Sequence, residues 1–128
     1  MRPRNLVVGV GCNRGTSCEE IVGFIKEKLM ESGLSPLSVR NFASLDIKAD
    51  EVGLLEAAKV FERPIYFCAR RDIEGIWVPN PSEMVARHAG VKSVCEASAL
   101  WSAGTQELLA PKRKRGNCTL AVARVGSP

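Results

Sequence analysis

A glycine-rich loop near the N-terminus carries the first residues that could do chemistry. The stretch "VGVGCNRGTSCEEI" places Gly11 and Gly15 around Arg14 and runs directly into an amphipathic pattern. Glycines allow close approach to the backbone, and free N–H groups at a helix start attract anions. The candidate ligand-binding residues of this loop are Gly11, Cys12, Asn13, Arg14, Gly15, Thr16 and Ser17. The structural alternative is a tight turn that needs glycine for its geometry alone.

Three carboxylates surround a lysine in the stretch "LDIKADE". Asp50 and Glu51 are candidate catalytic residues, because positioned carboxylates can transfer protons, and Lys48 is a candidate ligand for an anion. The simpler interpretation, which we favour for the acids, makes Asp50 a helix N-cap and places Glu51 where the helix dipole favours an acid. In that interpretation Asp46 pairs with Lys48.

Much of the net charge of +4 lies in one basic run, "PKRKRGN". On a strand, Lys112 and Lys114 would share one face and Arg113 would lie opposite. The run indicates an anionic partner. Nucleic acid is disfavoured because no aromatic residues are interleaved with the basic ones. A solvated hairpin tip that discourages edge pairing is the structural alternative.

The five cysteines and the single histidine do not form a metal-binding pattern. The cysteines are scattered, without a C-x-x-C pair or a zinc-type spacing to histidine, so buried reduced thiols are expected. His88 would lie in the last turn of a helix, where a cation is favoured, and no nucleophile or acid partner is apparent for it. We expect no metal site and no cofactor bound by the protein itself.

Hydrophobic patterns predict the elements that position these residues. Three apolar runs, "NLVVGV", "SVRNFASL" and "PIYFCA", predict strands. A capping box of Ser17 and Glu20 starts the first helix, and Gly33 ends it. Further helices are predicted to begin at Asp50, to run from Asn80 to Gly90, and to run from Ser93 to Gly104.

The C-terminal stretch "ELLAPKRKRGNCTLAVARV" predicts a β-hairpin with its turn at Arg115 and Gly116. The order of elements predicts a three-layer α/β/α fold with a mostly parallel sheet and a C-terminal antiparallel hairpin. The 128 residues contain no repeat or linker, so a single domain over residues 1–128 is expected. No apolar run is long enough to cross a bilayer and no signal peptide is evident, so we expect a cytoplasmic protein without a membrane partner.

Five segments, taken in order, resemble the CobE/CbiG C-terminal family of cobalamin biosynthesis: "GVGCNRGTS", "LDIKADEVGL", "VPNPSE", "SVCEASAL" and "LLAPKRKRGNCTLAVAR". The resemblance runs from about Val8 to Arg124. Asn13 stands where the family often has a second basic residue, and Cys18 where it often has a small one. The resemblance implies an α/β domain that acts in construction of the corrin ring. Its partners would be a precorrin or cobalt-precorrin intermediate and other enzymes of that pathway.

The family covers two roles, and the resemblance leaves both open. Full-length CbiG is a cobalt-precorrin-5A hydrolase, which opens a lactone and releases acetaldehyde, and it has an N-terminal region without a counterpart in this sequence. The stand-alone CobE relatives have no assigned reaction. The chain is therefore expected to bind a precorrin or, alternatively, to act as the hydrolase or its C-terminal domain, with Asp50 or Glu51 activating water. A basic nucleic-acid-binding module is the third alternative, and any cobalt would arrive inside the macrocycle.

Precorrins carry many acetate and propionate groups, so their site needs distributed cations and backbone donors. We expect the loop from Gly11 to Ser17 to hold one carboxylate, and Lys48, Lys112 and Lys114 to meet others. Loops that follow parallel strands gather at one edge of a sheet. The basic run reaches that edge only if its strand points in the same direction as the first strand.

We predict that the chain has no measurable affinity for NAD, FAD or ATP. Gly9, Gly11 and Gly15 are spaced G-x-G-x-x-x-G, which is one residue longer than the dinucleotide fingerprint, and no Lys-Ser/Thr pair follows to complete a P-loop. Isothermal calorimetry would test this prediction, and micromolar binding of any of the three nucleotides would contradict it.

Overall fold

The fold is a five-stranded sheet with helices on both sides, and the computed structural model describes residues 4–73, 94–105 and 107–125. In chain order the elements are β1 (Leu6–Cys12), α1 (Cys18–Glu31), β2 (Val39–Leu45), α2 (Val52–Val60), β3 (Ile65–Cys68), α3 (Arg70–Ile73), α4 (Val94–Ala103), β4 (Leu108–Arg115) and β5 (Cys118–Arg124). Short 3₁₀ turns occupy Pro36–Ser38 and Asp46–Lys48. The helix predicted from Asn80 to Gly90, with His88, and the cap predicted at Ser93 lie outside the described residues.

The sheet is parallel on one side and antiparallel on the other. Its strand order is β3-β2-β1-β5-β4, with β1, β2 and β3 parallel and with β5 antiparallel to both β1 and β4. Because β5 runs against both of its neighbours, β4 points in the same direction as β1. The turn between β4 and β5 therefore lies at the edge where β1 and β2 end, as the predicted convergence of the three segments requires.

Alternating side chains of β1 face two separate layers of helices. Val8 and Val10 pack in a core with Phe24 of α1 and with residues of α2. Val7 faces the opposite side and packs in a second core with Leu100 of α4. Period-two alternation on a central strand thus builds both cores. The predicted three-layer α/β/α fold is confirmed.

Helix α1 begins and ends as its sequence predicts. Ser17 is the N-cap, and its hydroxyl accepts from the Glu20 N–H at 3.1 Å. At the other end Gly33 has a positive φ of 71°, and the Leu34 N–H donates to the Leu29 carbonyl at 2.9 Å. A left-handed glycine with this backbone bond is the Schellman arrangement, which satisfies carbonyls that the helix would otherwise leave free.

The second half of the predicted capping box is wrong, because the Glu20 carboxylate turns to the hairpin instead. It accepts from the Asn117 side-chain amide at 3.2 Å and from the Asn117 N–H at 3.3 Å. The hairpin turn itself lies where predicted: Arg115 pairs with Cys118, and Gly116 has a φ of 58°, as the first central position of a type II′ turn requires. Glu20 thereby ties the start of α1 to the tip of the hairpin.

The cysteine thiols are free, as expected from their scattered positions. Four of the five are buried and Cys18 is partly buried. Burial raises the pKa of the Cys68 and Cys118 thiols to about 11. These side chains therefore remain protonated and act as small apolar groups of the core.

In the described ranges, no helix has the length and apolar character that a membrane span needs.

Helix α4 lies directly on the backbone of β1 at Gly9. A Cβ atom added to Gly9 would lie 1.9 Å from the Cys95 carbonyl oxygen, which is a backbone atom with little freedom to move. The close packing of α4 on the sheet therefore depends on the missing side chain at this position.

We predict that Gly9→Ala lowers the free energy of unfolding by about 1–3 kcal/mol or more, because the added methyl group forces α4 away from β1. Gly23→Ala is the matched control, since Gly23 lies within α1 and a Cβ there meets nothing within 4 Å. Alanine should raise helix stability at that position by about 0.5–1 kcal/mol. Urea denaturation would measure both changes, and equal stabilities of the two variants would contradict the prediction.

Candidate anion-binding site

Three segments meet at the edge where β1 and β2 end: the loop after β1, the turn after β2 and the hairpin tip. The Asn13 N–H donates to the Asn117 carbonyl at 2.9 Å, and their side-chain amides share a second bond of 2.9 Å. Arg14 donates through Nη2 to the Ile47 carbonyl, also at 2.9 Å. These bonds hold the loop after β1 against both of the other segments.

A pocket of about 290 Å³ opens between these segments. It is lined by Gly11, Cys12, Asn13, Ser44, Leu45, Ile47, Lys48, Val94, Lys114, Gly116, Asn117 and Thr119. Its two charged lining residues are Lys48 and Lys114, and no carboxylate occurs among these twelve residues. We refer to it as the lysine pocket, and its lining combines two cations, neutral polar groups and apolar side chains.

The side chains of the two lysines have no partner within the described part of the chain, in contrast to those of Arg14 and Arg115. Among the described residues neither the Lys48 nor the Lys114 ammonium group forms a hydrogen bond or an ion pair, whereas the Arg14 guanidinium pairs with Asp50 at 2.8 Å and that of Arg115 pairs with a carboxylate of α1. An ammonium group without an internal partner is available to an external anion. The lysine pocket therefore offers two such groups.

Lys112 is not among the residues that line the pocket, although its sequence position suggested the same face as Lys114. Arg113 and Lys114 pair with consecutive residues of β5, so they point to opposite faces, and Lys114 lies opposite the pocket residue Thr119. A register irregularity precedes Arg113. The Lys112 N–H donates to the buried Glu96 carboxylate of α4 at 2.9 Å. The structure thus brings Lys114, and not Lys112, together with Lys48 at the pocket.

An ionic network joins the loop after β1 to the segment after β2. Nη1 of Arg14 contacts Asp50 Oδ1 at 2.8 Å and Glu51 Oε1 at 3.2 Å, in addition to the Nη2 bond to Ile47. The other oxygen of Glu51 accepts from the Gly15 N–H at 2.9 Å. We call Arg14, Gly15, Ile47, Asp50 and Glu51 the Arg14 clasp. It fixes the turn that carries Lys48.

The N-cap role predicted for Asp50 is wrong, whereas Glu51 does lie at the start of α2. Glu51, not Asp50, occupies the N-cap position of α2, and its side chain makes no capping bond. Asp50 is bonded to Arg14, which lowers the pKa of the Asp50 carboxyl. Among the described residues no ion pair links Asp46 to Lys48. A guanidinium that contacts two carboxylates and a carbonyl supplies more bonds than either acid would gain by capping.

Several polar groups of the first loop that the sequence suggested for anion binding are bonded within the protein instead. The Gly15 N–H is bonded to Glu51, whose exposed fraction is 6%. The Thr16 hydroxyl donates to the Asn13 carbonyl at 2.6 Å, and Ser17 caps α1. An internal carboxylate therefore fills the place predicted for a ligand carboxylate at this part of the loop.

A second pocket of about 480 Å³ lies beside the clasp, between the starts of α1 and α2. Its lining residues are Arg14, Gly15, Thr16, Ser17, Cys18, Glu19, Asp50, Glu51, Val52, Gly53 and Glu56. Four carboxylates and one arginine make it acidic, opposite in sign to the lysine pocket. The candidate catalytic pair, Asp50 and Glu51, lines this acidic pocket, while Gly11, Cys12 and Asn13 of the first loop line the lysine pocket. No group of three metal-ligating side chains able to hold an ion occurs within the described ranges.

Sequence reasoning missed several residues of the lysine pocket. Asn117 and Thr119 come from the far strand of the hairpin, and Ser44 comes from β2, where its hydroxyl donates to the Val10 carbonyl at 2.7 Å. Ile47 was readable as an apolar residue within a polar segment. The others had no local signal, because only the sheet order brings them to this edge.

The fold and its pockets define a class: a three-layer α/β protein with a mixed sheet and a lysine-lined pocket at the edge where its first two parallel strands end. Within that class, the chain belongs to the family described as cobalamin synthesis G C-terminus, whose model matches residues 6–123. Membership places the chain in cobalamin biosynthesis.

Two curated relatives are similar over most of the chain. A cobalt-precorrin-5A hydrolase from Priestia megaterium is 36% identical over 124 residues, which is 97% of this chain and 33% of the hydrolase. Protein CobE from Sinorhizobium sp is 38% identical over 106 residues, or 81% of this chain and 69% of that protein. The chain thus spans about a third of the hydrolase and about two thirds of CobE.

Two crystal structures share the fold. CobE, a protein from the cobalamin (vitamin B12) biosynthetic pathway, superposes with a TM-score of 0.86 at 34% identity, covering 96% of this chain and 95% of that one. The cobalamin biosynthesis protein chiG from Agrobacterium tumefaciens has a TM-score of 0.76 at 31% identity, with coverages of 95% and 99%. The resemblance noted in the sequence is confirmed.

We predict that Glu51→Ala lowers the free energy of unfolding by about 1–3 kcal/mol, because it leaves the Gly15 N–H and Arg14 without their shared carboxylate. Glu56→Ala is the control, since Glu56 lines the same pocket and is exposed, and its side chain makes no hydrogen bond or ion pair among the described residues. Urea denaturation would measure the stabilities, and the Gly15 amide resonance should shift in the first variant alone. An unchanged Gly15 resonance in Glu51→Ala would refute the clasp.

Proposed function

We propose that the chain binds an anionic precorrin-type intermediate of cobalamin biosynthesis in the lysine pocket. The observation that carries this proposal is the pair Lys48 and Lys114, which line one pocket and have no internal partner among the described residues. Family membership indicates the pathway. The positive charge of the pocket indicates that an anionic group of the ligand is recognised. Acetate and propionate groups of a precorrin are the anions that this pathway offers.

The lining supports recognition of a carboxylate at the edge of a larger apolar body. Two ammonium groups can donate charge-assisted hydrogen bonds, each worth about 1.5–3 kcal/mol. Leu45 and Ile47 supply apolar contact beside them, and Thr119 supplies a hydroxyl. Pockets that bind small molecules commonly combine an apolar lining with a few polar groups in this way.

The contacts of the predicted binding residues support two different roles for them. Gly11, Asn13 and Lys48 line the lysine pocket and remain candidate ligand contacts. Arg14 and Gly15 instead bond to Glu51 and Asp50, so we assign them to positioning the Lys48 turn. The residues of the basic run also differ in their contacts, since Lys114 lines the pocket and Arg115 pairs with a carboxylate of α1. This difference favours a small anion over a nucleic-acid backbone as the ligand.

Hydrolysis of a cobalt-precorrin lactone is the second candidate function, and the 36% identity to a cobalt-precorrin-5A hydrolase favours it. Asp50 or Glu51 would then activate water, with a lysine stabilising the developing oxyanion. Any cobalt would belong to the substrate. Both acids are bonded to Arg14 and line the acidic pocket rather than the lysine pocket, so this arrangement supports binding better than proton transfer.

We predict that Lys48→Gln and Lys114→Gln each weaken binding of cobalt-precorrin-5A by about 1–3 kcal/mol, the scale of a lost charge-assisted bond. Lys112→Gln is the matched control, with an identical change of charge on the same strand as Lys114 and no place in the pocket lining. It should change affinity by less than about 0.5 kcal/mol. Titration of the visible absorbance would give the three dissociation constants, and equal losses in all of them would show that net charge alone acts.

We also predict that the chain, incubated alone with cobalt-precorrin-5A, changes the absorbance of the ligand but releases no acetaldehyde above the uncatalysed rate. The reason is that the acids that could activate water are held by Arg14. Coupled detection of acetaldehyde with alcohol dehydrogenase would measure release. Steady turnover that is abolished in Asp50→Asn or Glu51→Gln would instead establish the hydrolase function.

A further inference from the structure

The lysine pocket is too small to enclose the ligand proposed for it. Its volume of about 290 Å³ lies just below the range of about 300–1,000 Å³ that is typical of pockets for drug-sized ligands. A tetrapyrrole-derived ring with its acetate and propionate side chains is larger than such a ligand. Only one edge of the molecule can therefore enter, and the rest must lie outside the pocket.

An apolar side chain is exposed at the pocket. Ile47 lines the pocket and is 57% exposed, and it directly precedes Lys48 in the turn after β2. Its carbonyl accepts from Arg14 at 2.9 Å, so the backbone that presents the side chain is held in place. An exposed isoleucine on a fixed turn, beside a lysine that has no ion pair among the described residues, suits a ligand that combines an apolar surface with an anionic rim.

Charge determines on which side of the clasp the ring can lie. The acidic pocket carries Glu19, Asp50, Glu51 and Glu56, and these carboxylates repel the remaining carboxylates of a polyanionic ring. The lysine pocket carries cations without a carboxylate among its lining residues. Ile47 belongs to the lysine pocket, whereas the other exposed apolar residue of this segment, Val52, belongs to the acidic one.

From these observations, and resting on the proposed function, we infer that the ligand binds edge-on. One peripheral carboxylate side chain enters the lysine pocket between Lys48 and Lys114, and the ring lies outside, with its apolar surface against Ile47. Ile47 is then a specificity-determining residue, because it separates a carboxylate attached to a broad apolar ring from a simple polycarboxylate. The lysines recognise the charge, and Ile47 recognises the ring.

The test compares Ile47→Ser with Val52→Ser, which makes a similar change to a side chain that is 64% exposed at the acidic pocket. The probe is dicyanocobyrinic acid, a corrin whose peripheral groups are free carboxylates. Dicyanocobinamide, with the same ring and amide side chains, is the control ligand. Both absorb visible light, so absorbance titration gives dissociation constants for the intact chain.

We expect Ile47→Ser to raise the dissociation constant for dicyanocobyrinic acid about three- to tenfold, since part of an isoleucine side chain is no longer buried. Val52→Ser should change it less than about twofold, and Ile47→Leu, which keeps the apolar surface, should also stay within about twofold of the unaltered chain. Dicyanocobinamide should bind the unaltered chain at least about tenfold more weakly, because it lacks the charged group that enters the pocket.

The outcomes separate this inference from the proposed function. If dicyanocobyrinic acid and cobalt-precorrin-5A both fail to bind the unaltered chain, the proposed function is wrong. A second outcome is that dicyanocobyrinic acid binds, that Lys48→Gln weakens its binding, and that Ile47→Ser and Val52→Ser have equal effects on the dissociation constant. The proposed function then stands, and edge-on binding over Ile47 is overturned. Equal affinity for the two corrins would overturn the carboxylate as the group that enters the pocket. Far-ultraviolet circular dichroism of each variant confirms that it is folded.

Discussion

The Arg14 clasp is the interaction on which the arrangement of this edge depends. Glu51 is buried, and a buried carboxylate is costly unless it is paired and hydrogen-bonded. Arg14 and the Gly15 N–H meet that requirement from the loop after β1, while Glu51 belongs to the segment after β2. The need to satisfy one buried charge thus sets the distance between the two segments. The same guanidinium holds the Ile47 carbonyl, and Lys48 follows in the chain.

Sheet topology brings the hairpin tip to the same edge. Strand β5 lies between β1 and β4 and runs against both, which returns the hairpin tip to the end of β1. Asn117 at that tip bonds to Asn13 and to Glu20, so the hairpin is fixed to the first loop and to α1. Lys114 precedes the tip on β4. Charges on segments far apart in sequence are in this way sorted into a cationic pocket and an acidic one on the two sides of the clasp.

Local patterns predicted most of the fold, since strands, helix ends and the hairpin turn are determined by neighbouring residues. Ser17, Gly33 and Gly116 have the roles that their residue types favour. The failures concern side chains whose partners are distant in sequence. Asp50 would cap a helix if considered alone, but an arginine 36 residues earlier in the chain binds it more strongly. The bond from the Lys112 N–H to Glu96 depends on a residue of α4, and neither this bond nor the register irregularity before Arg113 has a signature in the basic run.

The separation of charges also bears on whether this edge holds a ligand or transforms it. A general base works best when its pKa lies near the pH of the reaction, yet Arg14 lowers the pKa of Asp50, which makes that carboxylate a weaker proton acceptor. The lysines lie in a different pocket, whose lining residues include no acid with which they could share a proton. The Lys48 and Lys114 side chains have no hydrogen-bonded or ionic partner among the described residues, and the turn and strand that carry them are fixed by other bonds. Preorganisation of this kind lowers the cost of binding, because the protein need not rearrange to meet the charge. The geometry of the edge therefore supports the proposed binding of a carboxylate better than its chemical transformation.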